Sequence, residues 1–320
     1  MRQRVLGRSD LKTAPLIFGG NVFGWTVDEV QSFLLLDAFV AAGFDMIDTA
    51  DMYSSWVPGN RGGESETIIG NWMASRGNRA AVQISSKVGM AEAAGRGGLS
   101  RARIVEGVEG SLRRLRTDRI DLYQSHIDDT VTPLDETLGA HEQLIRQGKV
   151  RYIGASNYSV ERLKQSLDCS LRRHAPRYET LQPLYNLHDR SSFEGAVEDL
   201  CVAQDIGVTT YSSLASGFLS GKYRSLADVE GSPRAKALKT YCTPRGEHVL
   251  QVLDSVAGEY RASAAQIALA WVLARPAVTA AIVSATSVQQ LHELIGSVAI
   301  RLDTAAMAKL NASGIQEQSP

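Results

Sequence analysis

Apolar and polar positions alternate between two patterns along this 320-residue chain. Eight short apolar runs open at Pro15 (PLIFGG), Met46 (MIDTA), Val82 (VQISSKV), Ile120 (IDLYQSH), Val150 (VRYIGASN), Glu179 (ETLQPLYN), Gly207 (GVTTYSS) and Thr279 (TAAIVSA). Between them lie segments of helical period. In residues 101–116, Ile104, Val108, Leu112 and Leu115 recur three and four positions apart and share one face. Short runs separated by helices predict parallel strands, because a parallel pair needs a crossover far longer than a hairpin turn. Eight such units predict an α/β fold of the (β/α)8, or TIM, barrel kind. A doubly wound open sheet is the competing architecture. Its first turn normally carries G-x-G-x-x-G to seat a pyrophosphate, and GGNVFGW from Gly19 lacks that spacing.

Three segments depart from the βα repeat. Ahead of the first strand, RVLGRSDLKTA reads as an N-terminal β-hairpin around a Ser-Asp turn, placed to cap the bottom of the barrel. After strand seven, residues 213–246 form a long connection rich in Gly, Ser, Lys and Arg, followed by two helical segments that lead to strand eight. Loops of that length in a compact domain usually serve function. Residues 303–313 predict a last helix with Asp303 as its N-cap. A single domain over residues 1–320 accommodates all of this, since such barrels commonly run to this length.

Composition narrows the possible partners. With 44% hydrophobic residues the chain can bury a large core. A net charge of −1 and a pI near 6.6 leave no global field to gather nucleic acid or an anionic membrane, so neither is an expected partner. The sequence has no apolar stretch of roughly 18 residues and no signal-like core in MRQRVLGRSD, so the expected location is the cytoplasm. Cys169, Cys201 and Cys242 are widely spaced and form no C-x-x-C, which fits reduced thiols. The histidines other than His126 have no partners at metal-ligand spacing, so no metal is expected. Oligomeric state leaves no signal.

Ionisable residues at the ends of three consecutive apolar runs are the chemical signal. Asp48 ends MID, Lys87 ends QISSK and His126 ends DLYQSH. Packing alone gives no reason for them on strands covered on both faces, and active sites of barrel enzymes assemble at the C-terminal strand ends. Tyr53, five residues after Asp48, reaches the same rim. A phenol with an ordinary pKa of about 10 donates its proton poorly near neutrality. Lys87 is expected to lower that value, Asp48 to keep Lys87 charged and oriented, and His126 to hydrogen-bond a substrate oxygen as charge develops on it. A plain buried Asp48–Lys87 salt bridge is the bland reading, and it leaves Tyr53 unexplained. A third reading makes Lys87 a Schiff-base nucleophile, against which the neighbouring carboxylate argues.

The stretches GFDMIDTADMY, ISSKVG, DLYQSH, GASNYS, LQPLYN and YSSLASGFLSGKY, in that order over nearly the whole chain, resemble those of the aldo-keto reductases. The resemblance implies a catalytic tetrad of Asp48, Tyr53, Lys87 and His126, and a nicotinamide cofactor held extended at the C-terminal rim without a metal. By the same resemblance, Ser156 and Asn157, ending strand five, and Gln182 in strand six bind the nicotinamide carboxamide. Tyr211 in strand seven stacks on the ring. Ser212, Leu214, Gly217, Leu219, Gly221 and Lys222 then cover the pyrophosphate, Lys222 as countercharge.

At the adenosine end the chain departs from the family pattern. Ser284 stands where many members have lysine or glycine, Gln290 where they have arginine, and Leu294 where an asparagine often contacts adenine. Ser284, Thr286 and Gln290 can hydrogen-bond a phosphate or base, but no cation is evident there. NADP(H) is the favoured cofactor because it dominates the family, with NAD(H) as the alternative. Trp25 and Trp56 are the substrate-side candidates, either stacking on a substrate or sealing a loop, with Asn21, Phe23 and Asp128 as further candidates. The implied function is NADPH-dependent reduction of aldehydes or ketones, sugars and cyclic ketones among them, with Tyr53 as proton donor. The alternative is a cofactor-binding regulatory subunit of the same fold, as found beside potassium channels.

Overall fold

Each apolar run becomes a strand in the computed structural model of the chain, which describes residues 3–91 and 97–314. A small antiparallel hairpin, β1 (Arg4–Val5) and β2 (Lys12–Thr13), comes first. The barrel strands are β3 (Leu16–Gly19), β4 (Met46–Asp48), β5 (Gln83–Val88), β6 (Ile120–Ser125), β7 (Val150–Ser156), β8 (Tyr178–Gln182), β9 (Gly207–Thr210) and β10 (Val278–Val283). They pair in parallel in chain order, and β10 closes the ring by pairing with both β9 and β3. The open doubly wound sheet is thereby ruled out.

Helices α1 (Glu29–Ala41), α2 (Glu64–Arg76), α3 (Arg101–Leu115), α4 (Leu134–Arg146), α5 (Val160–Arg173) and α6 (Ala196–Ala203) follow β3 to β8 in turn. Local chemistry sets their starts. Asp28, Ser100 and Ser159 each accept a hydrogen bond from the backbone N–H three residues on, which satisfies a donor that the first helical turn leaves open. The long connection after β9 carries structure of its own: a 3-10 segment at Ala215–Ser220, α7 (Leu226–Val229) and α8 (Ala235–Leu238). Then come α9 (Pro244–Tyr260) and α10 (Ala264–Ala274), the two helical segments expected before β10. Helix α11 (Val288–Gly296) follows β10, and α12 (Thr304–Ser313) ends the described chain with Asp303 as N-cap, accepting from Ala306 N.

Side chains alternate across the strands, and the inward set is layered. At the lower end Ile17, Met46, Leu122, Ala280 and Ile282 pack with Leu6 and Leu11 from the hairpin, which plugs the barrel. The plug approaches β9 closely because residue 207 has no side chain: a Cβ there would stand 2.7 to 3.0 Å from the Leu6 and Gly7 backbone. Higher up the lining turns polar, with Asp48, Ser85, Lys87, Gln124 and Gln182 all buried. The outward set meets the helices in the main apolar core. No helix among the described residues is long and apolar enough to cross a membrane.

One buried group in this packing titrates in a useful range. His141 of α4 is fully buried behind β6, with Nε2 3.2 Å from Ser125 Oγ. Burial pulls its pKa from 6.5 down to about 4. Because the folded value lies below the unfolded one, its contribution to stability is complete above pH 6.5 and is lost as pH falls through 4. The loss amounts to about 3 kcal/mol at most. Urea denaturation between pH 7 and pH 4 is expected to give a shallower decline in His141→Gln than in the parent chain. Parallel declines would remove His141 from the account.

Candidate active site

Strand ends bring the sequence's ionisable residues together. Asp48 is the last residue of β4, Lys87 the penultimate residue of β5, and His126 comes directly after β6. Tyr53 comes from the loop after β4. Lys87 Nζ lies 2.6 Å from Asp48 Oδ2, 2.8 Å from the Thr49 carbonyl oxygen and 2.8 Å from Tyr53 Oη. An ammonium has three protons, and these three acceptors use all of them. Lys87 is therefore built as a held cation with no lone pair to offer, which argues against a Schiff-base nucleophile. Tyr53 Oη accepts from Lys87 and donates its own proton to Asp48 Oδ2 at a long 3.4 Å. The His126 ring meets Tyr53 edge-on at 5.9 Å between centroids.

Electrostatics correct one expectation from the sequence. Burial, then the Asp48 carboxylate, push the Tyr53 phenol well above its ordinary value, outweighing the lowering expected from Lys87. Tyr53 is thus a neutral phenol at neutrality. Burial also pulls the Lys87 ammonium down, against the upward pull of Asp48, Asp51 and Glu66. The His126 imidazole lies well below the usual histidine range, through burial first and Lys87 second, and is neutral.

Asp48 and Tyr53 line a cavity of about 940 Å³; Lys87 and His126 are not among its lining residues. Ser284, Thr286, Gln290, Glu293 and Leu294 line the same cavity. Tyr211, Ser212, Leu214, Gly217 and Lys222 line the wall contributed by the connection after β9. Leu219 instead points into the apolar core, and Gly221 caps the 3-10 segment at a φ of 78°. Non-glycine residues in the left-handed region cost about 1 kcal/mol or more each. Ser212, Ala215 and Ser216 all adopt it here, with φ of 51°, 49° and 58°. Strain concentrated in one turn marks a segment shaped for a purpose other than packing.

Ser156 ends β7, and Asn157 stands just beyond it at a φ of 59°. Asn157 Nδ2 donates to the His126 carbonyl and to Ser156 Oγ, while its Oδ1 accepts from Tyr211 Oη at 2.9 Å. Gln182 Nε2 donates to Asp48 Oδ1 at 3.0 Å. Tyr211 lies one residue past β9, outside the strand assigned to it from sequence. Ser284 Oγ bonds the Gly19 carbonyl, and Gln290 Oε1 accepts from Thr286 N.

Trp25 and Trp56 both line the cavity and meet edge-on at 5.6 Å between centroids. Asn21 lines it too. Phe23 does not: its fully buried ring stacks on Phe18. Asp128 is ion-paired with Arg162. Sequence reasoning missed Arg234 and Lys236, which line the same cavity from the region of α8. Arg234 stands over the Trp25 ring at 5.3 Å. The only signal for them was the basic composition of the long connection. Among the described residues no group of His, Cys, Asp or Glu is placed to hold a metal ion.

Comparison with known proteins agrees with this geometry. The sequence model of the aldo/keto reductase family matches residues 15–315. An "uncharacterized oxidoreductase YrpG" of Bacillus subtilis (strain 168) is 36% identical, across 97% of this chain and 95% of its own. The "aldo-keto reductase YhdN" of the same organism is 35% identical, across 86% of this chain and 81% of its own. A "probable voltage-gated potassium channel subunit beta" of Oryza sativa subsp. japonica is 33% identical, across 92% of this chain and 90% of its own. With eight parallel strands closed into a barrel and a family match over nearly its whole length, this chain belongs to the aldo/keto reductase family of oxidoreductases.

Proposed function

We propose that the protein reduces aldehydes or ketones to alcohols with NADPH, Tyr53 delivering the proton. One observation carries the reading: Lys87 donates to Tyr53 Oη as well as to Asp48, which leaves a neutral phenol at the cavity wall whose own proton is engaged only in a long 3.4 Å bond to Asp48 Oδ2. Tyr53 gives that proton to the carbonyl oxygen. Lys87, held by Asp48, stabilises the phenolate left behind, and the neutral His126 hydrogen-bonds the same substrate oxygen. A reduced nicotinamide cofactor, when bound, supplies the hydride to the carbonyl carbon and is itself oxidised. In the reverse direction Tyr53 takes the alcohol proton.

Tyr211, Ser212, Leu214, Gly217 and Lys222 line the cavity and suit that cofactor, while Ser156, Asn157 and Gln182 are not among its lining residues and adjoin it through Tyr211 and Asp48. The cavity volume falls within the roughly 300–1,000 Å³ typical of ligand sites. Gln182 Oε1 and Asn157 Oδ1 would accept from a carboxamide NH2, with Ser156 supporting Asn157. Tyr211 would take the ring, and the strained turn from Ser212 through Gly217 would carry the pyrophosphate. Lys222, Arg234 and Lys236 bring positive charge to the cavity, while Thr286 and Gln290 remain as polar groups of the adenosine end. Their charge supports the more highly charged NADP(H), while after β10 the cavity is lined by Ser284, Thr286, Gln290 and the acidic Glu293 with no basic residue. Trp25 and Trp56 would bound the substrate.

A second reading, a cofactor-binding regulatory subunit, is favoured by the rice relative named as a channel subunit. Cofactor absorbance measured with NADPH and with NADH against aldehydes, ketones and sugars separates the two. Many steady turnovers with NADPH, and slower or weaker use of NADH, are the expected result. Tight cofactor retention without turnover on any carbonyl compound would favour the subunit. A preference for NADH would overturn the cofactor assignment.

A further inference from the structure

The mechanism above uses only one oxygen of Asp48. Oδ2 faces Lys87 and Tyr53, whereas Oδ1 faces away from them and takes two neutral donors, Ser85 Oγ at 3.1 Å and Gln182 Nε2 at 3.0 Å. Ser85 is in turn held by Gln124 Nε2 at 2.8 Å. The chain of bonds runs one way, because an amide nitrogen only donates and the serine has a single proton to pass on to the carboxylate. Asp48, Ser85 and Gln124 come from adjacent strands, β4, β5 and β6, and all are buried inside the barrel. An interior this polar is costly unless it does something, since each buried amide or hydroxyl must find a partner. The cost is visible in Gln124 Oε1, which is buried without a hydrogen-bond partner among the described residues. Gly154 leaves room for that amide: a Cβ there would stand 3.1 Å from Gln124 Cγ and 2.2 Å from Thr180 Oγ1.

We propose that Ser85 and Gln124 are positioning residues: they hold the Asp48 carboxylate turned toward Lys87, and thereby set how tightly the Tyr53–Lys87 pair holds its protons, without touching substrate or cofactor. The inference rests on the proposed reading of the site. A hydrogen bond to a carboxylate favours its charged form and disperses its charge. Removing the Ser85 hydroxyl takes one of the two neutral donors from Asp48 Oδ1. It also leaves more negative charge facing Lys87 and Tyr53, which then hold their protons more tightly. That moves the basic limb of the pH profile up. Other groups facing the pair stay as they are: Asp51 from the loop after β4, Glu66 from α2, His126 after β6 and Tyr211 after β9. Asp51 is paired with Arg103 and Glu66 with Arg114.

The test is the pH profile of kcat for carbonyl reduction in Ser85→Ala, Ser85→Thr and Gln124→Met, with cofactor binding titrated by protein fluorescence. In Ser85→Ala the basic limb of the profile is expected to move up by about one pH unit, a tenfold change in proton affinity. Ser85→Thr keeps the hydroxyl and restores the parent profile. Gln124→Met moves the basic limb in the same direction by less, and cofactor affinity stays unchanged throughout. Superimposable profiles in folded Ser85→Ala and in Gln124→Met would overturn the proposal, and so would a change confined to cofactor affinity. If Ser85→Ala does not fold, Gln124→Met decides alone. Full activity in Tyr53→Phe would instead sink the reading of the site, so the two failures are distinguishable.

Discussion

Replacing Lys87 with methionine is expected to cost both activity and stability, and a second substitution should separate the two losses. Lys87 is fully buried and its ammonium serves Asp48, Thr49 and Tyr53 together. Removing one partner of a buried pair strands the other charge, a loss of about 3–5 kcal/mol. Carbonyl reduction should fall by about a hundredfold or more, the usual cost of losing a preorganised electrostatic group. In Asp48→Asn combined with Lys87→Met no charge is left stranded, and most of the stability should return, because buried ion pairs add little over neutral packing. Activity should not return with it. Urea midpoints and reduction rates on the three proteins check this. A double variant as unstable as Lys87→Met would mean that the pair is not the source of the cost.

Tyr53→Phe is the complementary case, with activity lost and the fold kept. The ring and its edge contacts with Trp56 and His126 remain, and only Oη goes. Lys87 loses one of three acceptors, a stability cost on the order of 1 kcal/mol. General acid catalysis typically contributes about 10²- to 10⁴-fold, so a loss in that range is expected in both reaction directions. Cofactor binding should stay unchanged, because no cofactor contact is assigned to the phenol oxygen. A rate within a few-fold of the parent's would remove Tyr53 as proton donor.

These residues were legible in the sequence because a charge at the end of an apolar strand has no packing explanation. All eight strands were legible for a related reason: buried β-strands between amphipathic helices leave short, dense apolar runs. Polar residues inside the barrel were not. Ser85 and Gln124 read as ordinary members of QISSK and DLYQSH, and only the closure of the barrel turns them toward Asp48. Arg234 and Lys236 lie in a connection with no periodicity, so nothing in the chain says which way it folds back. Phe23 was a substrate candidate on sequence position alone, yet the turn after β3 sends it into the core. The net rise at Tyr53 was not legible, because charge neighbours can be read from motifs but depth of burial cannot.

The central claim is hydride transfer to a carbonyl carbon in this site, and isotope transfer tests it most directly. The protein is incubated with NADPH carrying deuterium on both hydrogens of nicotinamide C4, together with an aldehyde in ordinary water, and the product is read by mass spectrometry. The expected product is the alcohol with a single deuterium on its carbinol carbon, formed by the parent chain and about 10²- to 10⁴-fold more slowly by Tyr53→Phe at matched cofactor occupancy. An unlabelled alcohol, or labelled alcohol at equal rates from both proteins, would contradict the account.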